Sequence, residues 1–147
     1  MKNCKYKINS IYFFRYYSNI TNFIGTLKRT DNLFVIKLIA YVKEFAEKNI
    51  KIKIAISLRT LLKKSKQLTL TKGKDDSIAD SYNNIALNAE IRKATVTKIF
   101  NAKTSPNSTT LILIIEAMGF KLSDFSVIYD SLQEKDIQLF IKNQKEK

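Results

Sequence analysis

Apolar residues between Leu33 and Ala46 recur mostly at helical spacing, with Lys37, Lys43, Glu44 and Lys48 off that face, so the pattern predicts a helix over 33–48. Residues 50–66 open with the strand-like alternation Ile50, Ile52, Ile54, Ile56. They turn helical where Leu58, Leu61 and Leu62 stand beside Lys63, Lys64 and Lys66, and a helix over 53–66 is expected. The stretch TLTKGKDDSIAD, 69–80, carries Gly73 and a charge cluster and reads as a loop. Two short helices follow. The first, over 82–89, has Ser81 as its cap and Ile85, Ala86 and Ala89 inward. The second, over 93–100, turns Val96, Ile99 and Phe100 inward after a turn at Glu90 and Ile91. Pro106 breaks the chain, and Asn107 or Ser108 caps a helix over 109–118 with Leu111, Ile112, Ile114, Ile115 and Met118 apolar and Gly119 as its stop. Ser123 is expected to cap one more short helix, and a last one covers 132–144.

These elements give an all-α bundle of about five or six helices. The organisation read from the chain is a basic, aromatic arm over 1–32, an additional helix and connector over 33–50, a main domain over 51–128 and a C-terminal helix and tail over 129–147. The arm holds seven of the sixteen aromatic residues without a sustained period and is expected to be weakly ordered.

Composition narrows the chemistry. The 147 residues are 45% hydrophobic and 27% charged, a balance suited to one globular domain with some tail. With no His, three Gly and a single Cys at position 4, the chain lacks His-based triads, His metal sites, Gly-rich nucleotide loops and disulfide frameworks. Neither an enzyme nor a bound cofactor or metal is expected. The net charge is +13, and it is unevenly placed: +5 over 1–32, +1 over 33–50, +8 over 51–103 and −1 over 104–147. A block this positive beside a nearly neutral C-terminal part points to a polyanionic partner, against the plainer reading of a solvated Lys-rich surface. Arg15 interrupts the apolar run 11–17, and no window reaches the roughly 18 apolar residues of a membrane span. A cytoplasmic, nucleoid-associated location is therefore expected, with Cys4 a reduced, incidental thiol.

The 82–100 segment carries the functional expectation. Two short helices a tight turn apart meet only where a small residue lets their backbones approach, and Ala86 supplies one, which is helix-turn-helix logic. The second helix then exposes Lys93, Ala94, Thr97 and Lys98, short or basic side chains suited to a major groove.

The run SYNNIALNAEIRKATVTKIFNAKTSPNSTTLILIIEAMGFKLSDF resembles the lambda-repressor and Cro type of helix-turn-helix domain, also called the xenobiotic-response-element family. Ser81, Ile85, Ala86, Ala89, Ile91, Val96, Thr97, Ile99, Lys103, Pro106, Thr110, Leu111, Ile114, Ala117 and Gly119 match its pattern without a gap. Upstream, LLKKSKQLT resembles the family's first helix, with Leu62 and Lys63 at its Leu-Arg pair, so the likeness covers about 53–125. Three features depart from the pattern. Glu90 stands at a usual Gly, where a left-handed backbone carries a Cβ penalty of about 1 kcal/mol. Phe100 stands where a Glu usually pairs with the first-helix Arg, and 69–80 is an insertion between the first two helices.

The resemblance implies base-edge contacts from Lys93, Ala94, Thr97 and Lys98. It implies phosphate contacts from Tyr82, Asn101, Lys103 and Thr104. Lys can bind the guanine O6 and N7 acceptors, and Ala94 can touch a thymine methyl. The function expected is sequence-specific double-stranded DNA binding by a transcriptional regulator, a repressor acting as a homodimer on half-sites about 34 Å apart. The alternative within this class is the antitoxin and autorepressor of a toxin-antitoxin pair, which adds a cognate toxin as partner. The alternative of another class is a membrane-surface or structural interaction protein that uses the arm and the 33–48 helix. Asp75 and Asp76 are adjacent carboxylates without the partners catalysis needs.

Overall fold

Between Gly25 and Gly73 the sequence holds neither Gly nor Pro, and nothing along that stretch stops a helix once begun. In the computed structural model, which describes residues 32–72 and 78–146, this stretch forms one helix, α1, Asn32–Lys72. Five shorter helices follow: α2 Tyr82–Asn88, α3 Lys93–Phe100, α4 Ser108–Ala117, α5 Leu122–Ser131 and α6 Glu134–Lys145. Among the described residues there is no strand, so the chain is all-α. None of these helices is long and apolar enough to cross a membrane.

The chain divides into two compact units, Met1–Tyr41 and Val42–Lys147. Of the first, only the opening turns of α1 are described, and there Ile36, Ile39 and Tyr41 are exposed. The expected arm at 1–32 lies outside the described residues apart from Asn32, which begins α1.

The second unit holds the core. Leu58, Leu61 and Leu62 of α1 pack with Ile85 and Ala89, with Val96, Ile99 and Phe100 of α3, with Ile114, Ile115 and Met118, and with Phe125 and Ile128 of α5. α2 packs on α3 and α4, and α4 on α5. A smaller cluster joins Ile52 and Ala55 of α1 to Ile137 and Phe140 of α6, so the C-terminal helix is seated on α1 of its own chain.

Several expectations are corrected. The separate helices over 33–48 and 53–66, with a connector between them, are one helix. The isoleucine alternation that imitates a strand sets successive side chains about 200° apart on a helix, so Ile52 is buried while Ile50 is exposed. Buried Ile52, Ala55, Leu58, Leu62 and Ser65 instead follow the helical period. The expected loop over 69–80 is helical to Lys72, and its far end belongs to the core. Ala79 is fully buried, its N–H donates to the Ala117 carbonyl at 2.8 Å, and its own carbonyl accepts from Ser65 Oγ at 2.8 Å. The segment between, 73–77, lies outside the described residues.

The cap of α5 is Lys121 rather than Ser123. Asp124 sits three residues on, and its carboxylate accepts from the Lys121 N–H at 2.8 Å, which fixes the helix start two residues earlier. Asp136 does the same for the Gln133 N–H at 2.9 Å, so α6 begins at Glu134 instead of 132. Ile112, expected on the apolar face of α4, is 38% exposed, and its neighbour Leu113 is 39% exposed.

Candidate nucleic-acid interface

The interface candidate is built on α2, the turn after it, and α3. Ser81, with extended backbone, caps α2 by accepting from the Asn84 N–H at 3.2 Å, and Asn84 Nδ2 bonds Asp80 Oδ1 at 2.9 Å. Only Ile85 of α2 is fully buried, and Ala86 is half-buried against the core. The turn closes by a Schellman motif: the Glu90 N–H donates to Leu87 at 3.2 Å and the Ile91 N–H to Ala86 at 2.9 Å. This motif needs a left-handed residue, and Glu90 takes that place at φ 52, as expected from its position.

α3 covers the same residues, 93–100, that its pattern predicts, with Val96, Ile99 and Phe100 at most 1% exposed. Its opposite face carries Lys93, Ala94 and Lys98, all exposed, with Thr97 half-buried between them. Spacings of one, three and four residues bring these four onto one side of the helix. Thr97 Oγ1 donates to the Lys93 carbonyl at 2.9 Å, so its hydroxyl is left as an acceptor. The N-cap Arg92 makes no side-chain cap bond, and the first turn has no acidic residue. The positive end of the helix dipole therefore lies beside two exposed cations, Arg92 and Lys93.

The residues expected at phosphates divide. Lys103 and Thr104 are exposed beyond the end of α3. Tyr82 is half-buried, its ring centroid 4.7 Å from that of Phe100, so the ring is a packing element whatever its hydroxyl meets. Asn101 Oδ1 accepts from Arg59 Nη2 at 2.7 Å, which leaves its amide NH2 as the candidate donor.

Arg59 is the residue that the sequence reading missed. Its Nε donates to the Phe100 carbonyl at 2.8 Å, and its guanidinium lies 4.7 Å from the Phe140 ring centroid. The resemblance sets Lys63 at the first-helix Arg position; Lys63 is exposed, and it is Arg59, one turn earlier, that reaches the end of α3. A signal was present: Leu58-Arg59 is itself a Leu-Arg pair and the lone Arg of α1 among its lysines. Ala102 was missed too. At φ 56 it is the left-handed residue of a second Schellman motif, with its N–H on Ile99 at 3.0 Å and that of Lys103 on Lys98 at 2.9 Å. Nothing about an alanine signals that role.

No family model, curated protein or solved structure matches this chain.

Proposed function

We propose that the chain is a sequence-specific double-stranded DNA-binding regulator, a repressor of the lambda-repressor-like type, with α2, its turn and α3 as the helix-turn-helix. One observation carries the reading: α3 is anchored through buried Val96, Ile99 and Phe100 while Lys93, Ala94 and Lys98 stand exposed together on the opposite side. A short helix held this firmly with a basic, small-residue face fits a major groove about 12 Å wide. The uncapped, basic start of α3 and the exposed Lys103 and Thr104 beyond its end suit phosphates flanking that groove. Function as a homodimer on two half-sites belongs to this proposal.

The test is selection of bound duplexes from random sequence, followed by titration of the winners. Affinity should fall steeply with salt, with a slope of log K against log salt of about −5 to −7 for some 5 to 8 neutralised phosphates. Lys98→Ala should cost about 1 to 3 kcal/mol on the preferred site and little on random duplex. Lys103→Ala should weaken both alike and reduce the salt slope by about one. If no sequence is enriched, or Lys98→Ala lowers both affinities equally, α3 does not read bases.

A further inference from the structure

We propose that α6 is a positioning element for the trailing end of α3, acting through the guanidinium of Arg59. The inference rests on the DNA-binding reading above. α6 lies beyond the segment whose sequence resembles a helix-turn-helix domain, in the stretch that reads from sequence as a C-terminal helix and tail. Its buried residues give it a different place. Ile137 and Phe140 pack with Ile52 and Ala55 of α1, and Ala102, the left-handed residue that closes α3, packs against the same cluster. Phe140 also presents its ring to Arg59, whose Nε and Nη2 hold the Phe100 carbonyl and Asn101 Oδ1. Asn101 is thereby flanked by two neighbours, Phe100 bound to Arg59 and Ala102 packed on the α6 cluster, and Lys103 follows directly.

The chemistry explains why such support is needed. An Arg facing a carboxylate is locked by two charge-assisted bonds. Here Phe100 occupies the position where the resembled pattern has an acid, and among the described residues the guanidinium's hydrogen bonds go to a neutral carbonyl and a neutral amide. The carbonyl at the C-terminal end of α3 carries partial negative charge from the helix dipole, which favours a cation there. A long side chain with neutral partners still has rotamers to lose, and the Phe140 ring 4.7 Å away restricts them while adding a cation–π attraction. Phe140 and Arg59 are positioning residues: neither is required to touch the nucleic acid, and both set where Asn101 and Lys103 stand.

The experiment uses the full chain with Phe140→Leu, Phe140→Ala and Arg59→Lys. It reads amide hydrogen exchange at Ala102 and Lys103, thermal stability, and affinity across a range of salt for the selected duplex and for a random duplex of equal length. Phe140→Leu keeps the apolar filling and removes the ring. It should speed exchange at both amides and, because Asn101 and Lys103 stand at phosphates on the reading above, lower affinity for the selected and the random duplex alike, about three- to tenfold, the scale of a lost cation–π contact, with a smaller salt slope. Arg59→Lys, which loses the fork but keeps the charge, should act in the same direction. Phe140→Ala should add a loss of stability, and if it unfolds the chain the Leu variant decides. A merely structural role would lower stability and leave affinity and salt slope of the folded chain intact, and that result overturns the inference. Unchanged exchange in a chain that binds DNA overturns it alone, whereas a wild-type chain that binds no duplex takes down the proposed function and this inference together.

Discussion

α3 and α4 share one core, and both are firmly anchored in it: Val96, Ile99 and Phe100 of one and Ile114 and Ile115 of the other are at most 1% exposed. Their ends are built differently. α4 starts with Asn107, whose Oδ1 accepts from the Thr110 N–H at 2.7 Å, and stops at Gly119 with φ 80. α3 starts at Arg92 with no side-chain cap bond and is bounded on both sides by non-glycine residues in the left-handed region, Glu90 and Ala102. All three exits, after α2, α3 and α4, use the same pair of backbone bonds to the preceding turn. The comparison teaches that the chain has the means to finish a helix well and applies them to α4. Where a helix end omits them, stability is left unclaimed.

The comparison can be broken most sharply at α4. Gly119→Ala should destabilise by about 1 to 2 kcal/mol in equilibrium denaturation, the cost of a Cβ in left-handed backbone. The added Cβ would meet Ile78 at 3.5 Å, an ordinary contact, so conformation rather than crowding sets that cost. Asn107→Ala should lose about 1 kcal/mol in the same measurement.

At α3 the signs should reverse. Arg92→Ser supplies the missing cap and removes a cation from the positive end of the dipole, and it should stabilise by about 1 kcal/mol. On the DNA-binding reading the same variant should weaken duplex binding and reduce the salt slope by about one. A gain in stability with no loss of affinity would separate Arg92 from the interface.

Glu90→Gly and Ala102→Gly should each raise stability by about 0.5 to 1 kcal/mol, because glycine takes φ > 0 without the Cβ penalty. If both variants lose stability, their left-handed backbones are offset by side-chain contacts that glycine cannot make.

The smallest effect lies outside both helices and serves as their control. Burial, and after it the charge of Asp130, raises the Tyr129 phenol above its usual range. The folded state therefore favours the neutral phenol. That contribution is whole below the unfolded value near 10 and is lost as pH climbs through the raised folded value. Tyr129→Phe should flatten the alkaline limb of stability and leave neutral pH nearly untouched, as read by denaturation across that range.

The parts of the fold that were legible are those whose signals are local. Ser81, Asn107 and Gly119 are short-range devices, and the inward rows of α2, α3 and α4 lie within a few residues of them, so these helices emerged nearly intact. The continuity of α1 did not, because isoleucine favours strands and alternation at 50–56 outweighed the helical row running from Ile52 to Ser65. At α5 two polar starts competed, and Asp124 reaching back to Lys121 won over Ser123. Of the candidate site, the exposed row on α3 followed from helical period alone. Arg59 did not, because its partners are 41 and 42 residues away and one of them is a backbone carbonyl, which leaves no mark on the sequence.

Ala79 ties together three stretches of chain far apart in sequence, through Ser65 on one side and Ala117 on the other. Its consequence is a shared joint. The start of α2, three residues on, is referenced to a single backbone position that α1 holds on one side and the end of α4 on the other. A substitution that breaks either bond should therefore disturb the start of α2 and the end of α4 together, although they lie more than thirty residues apart.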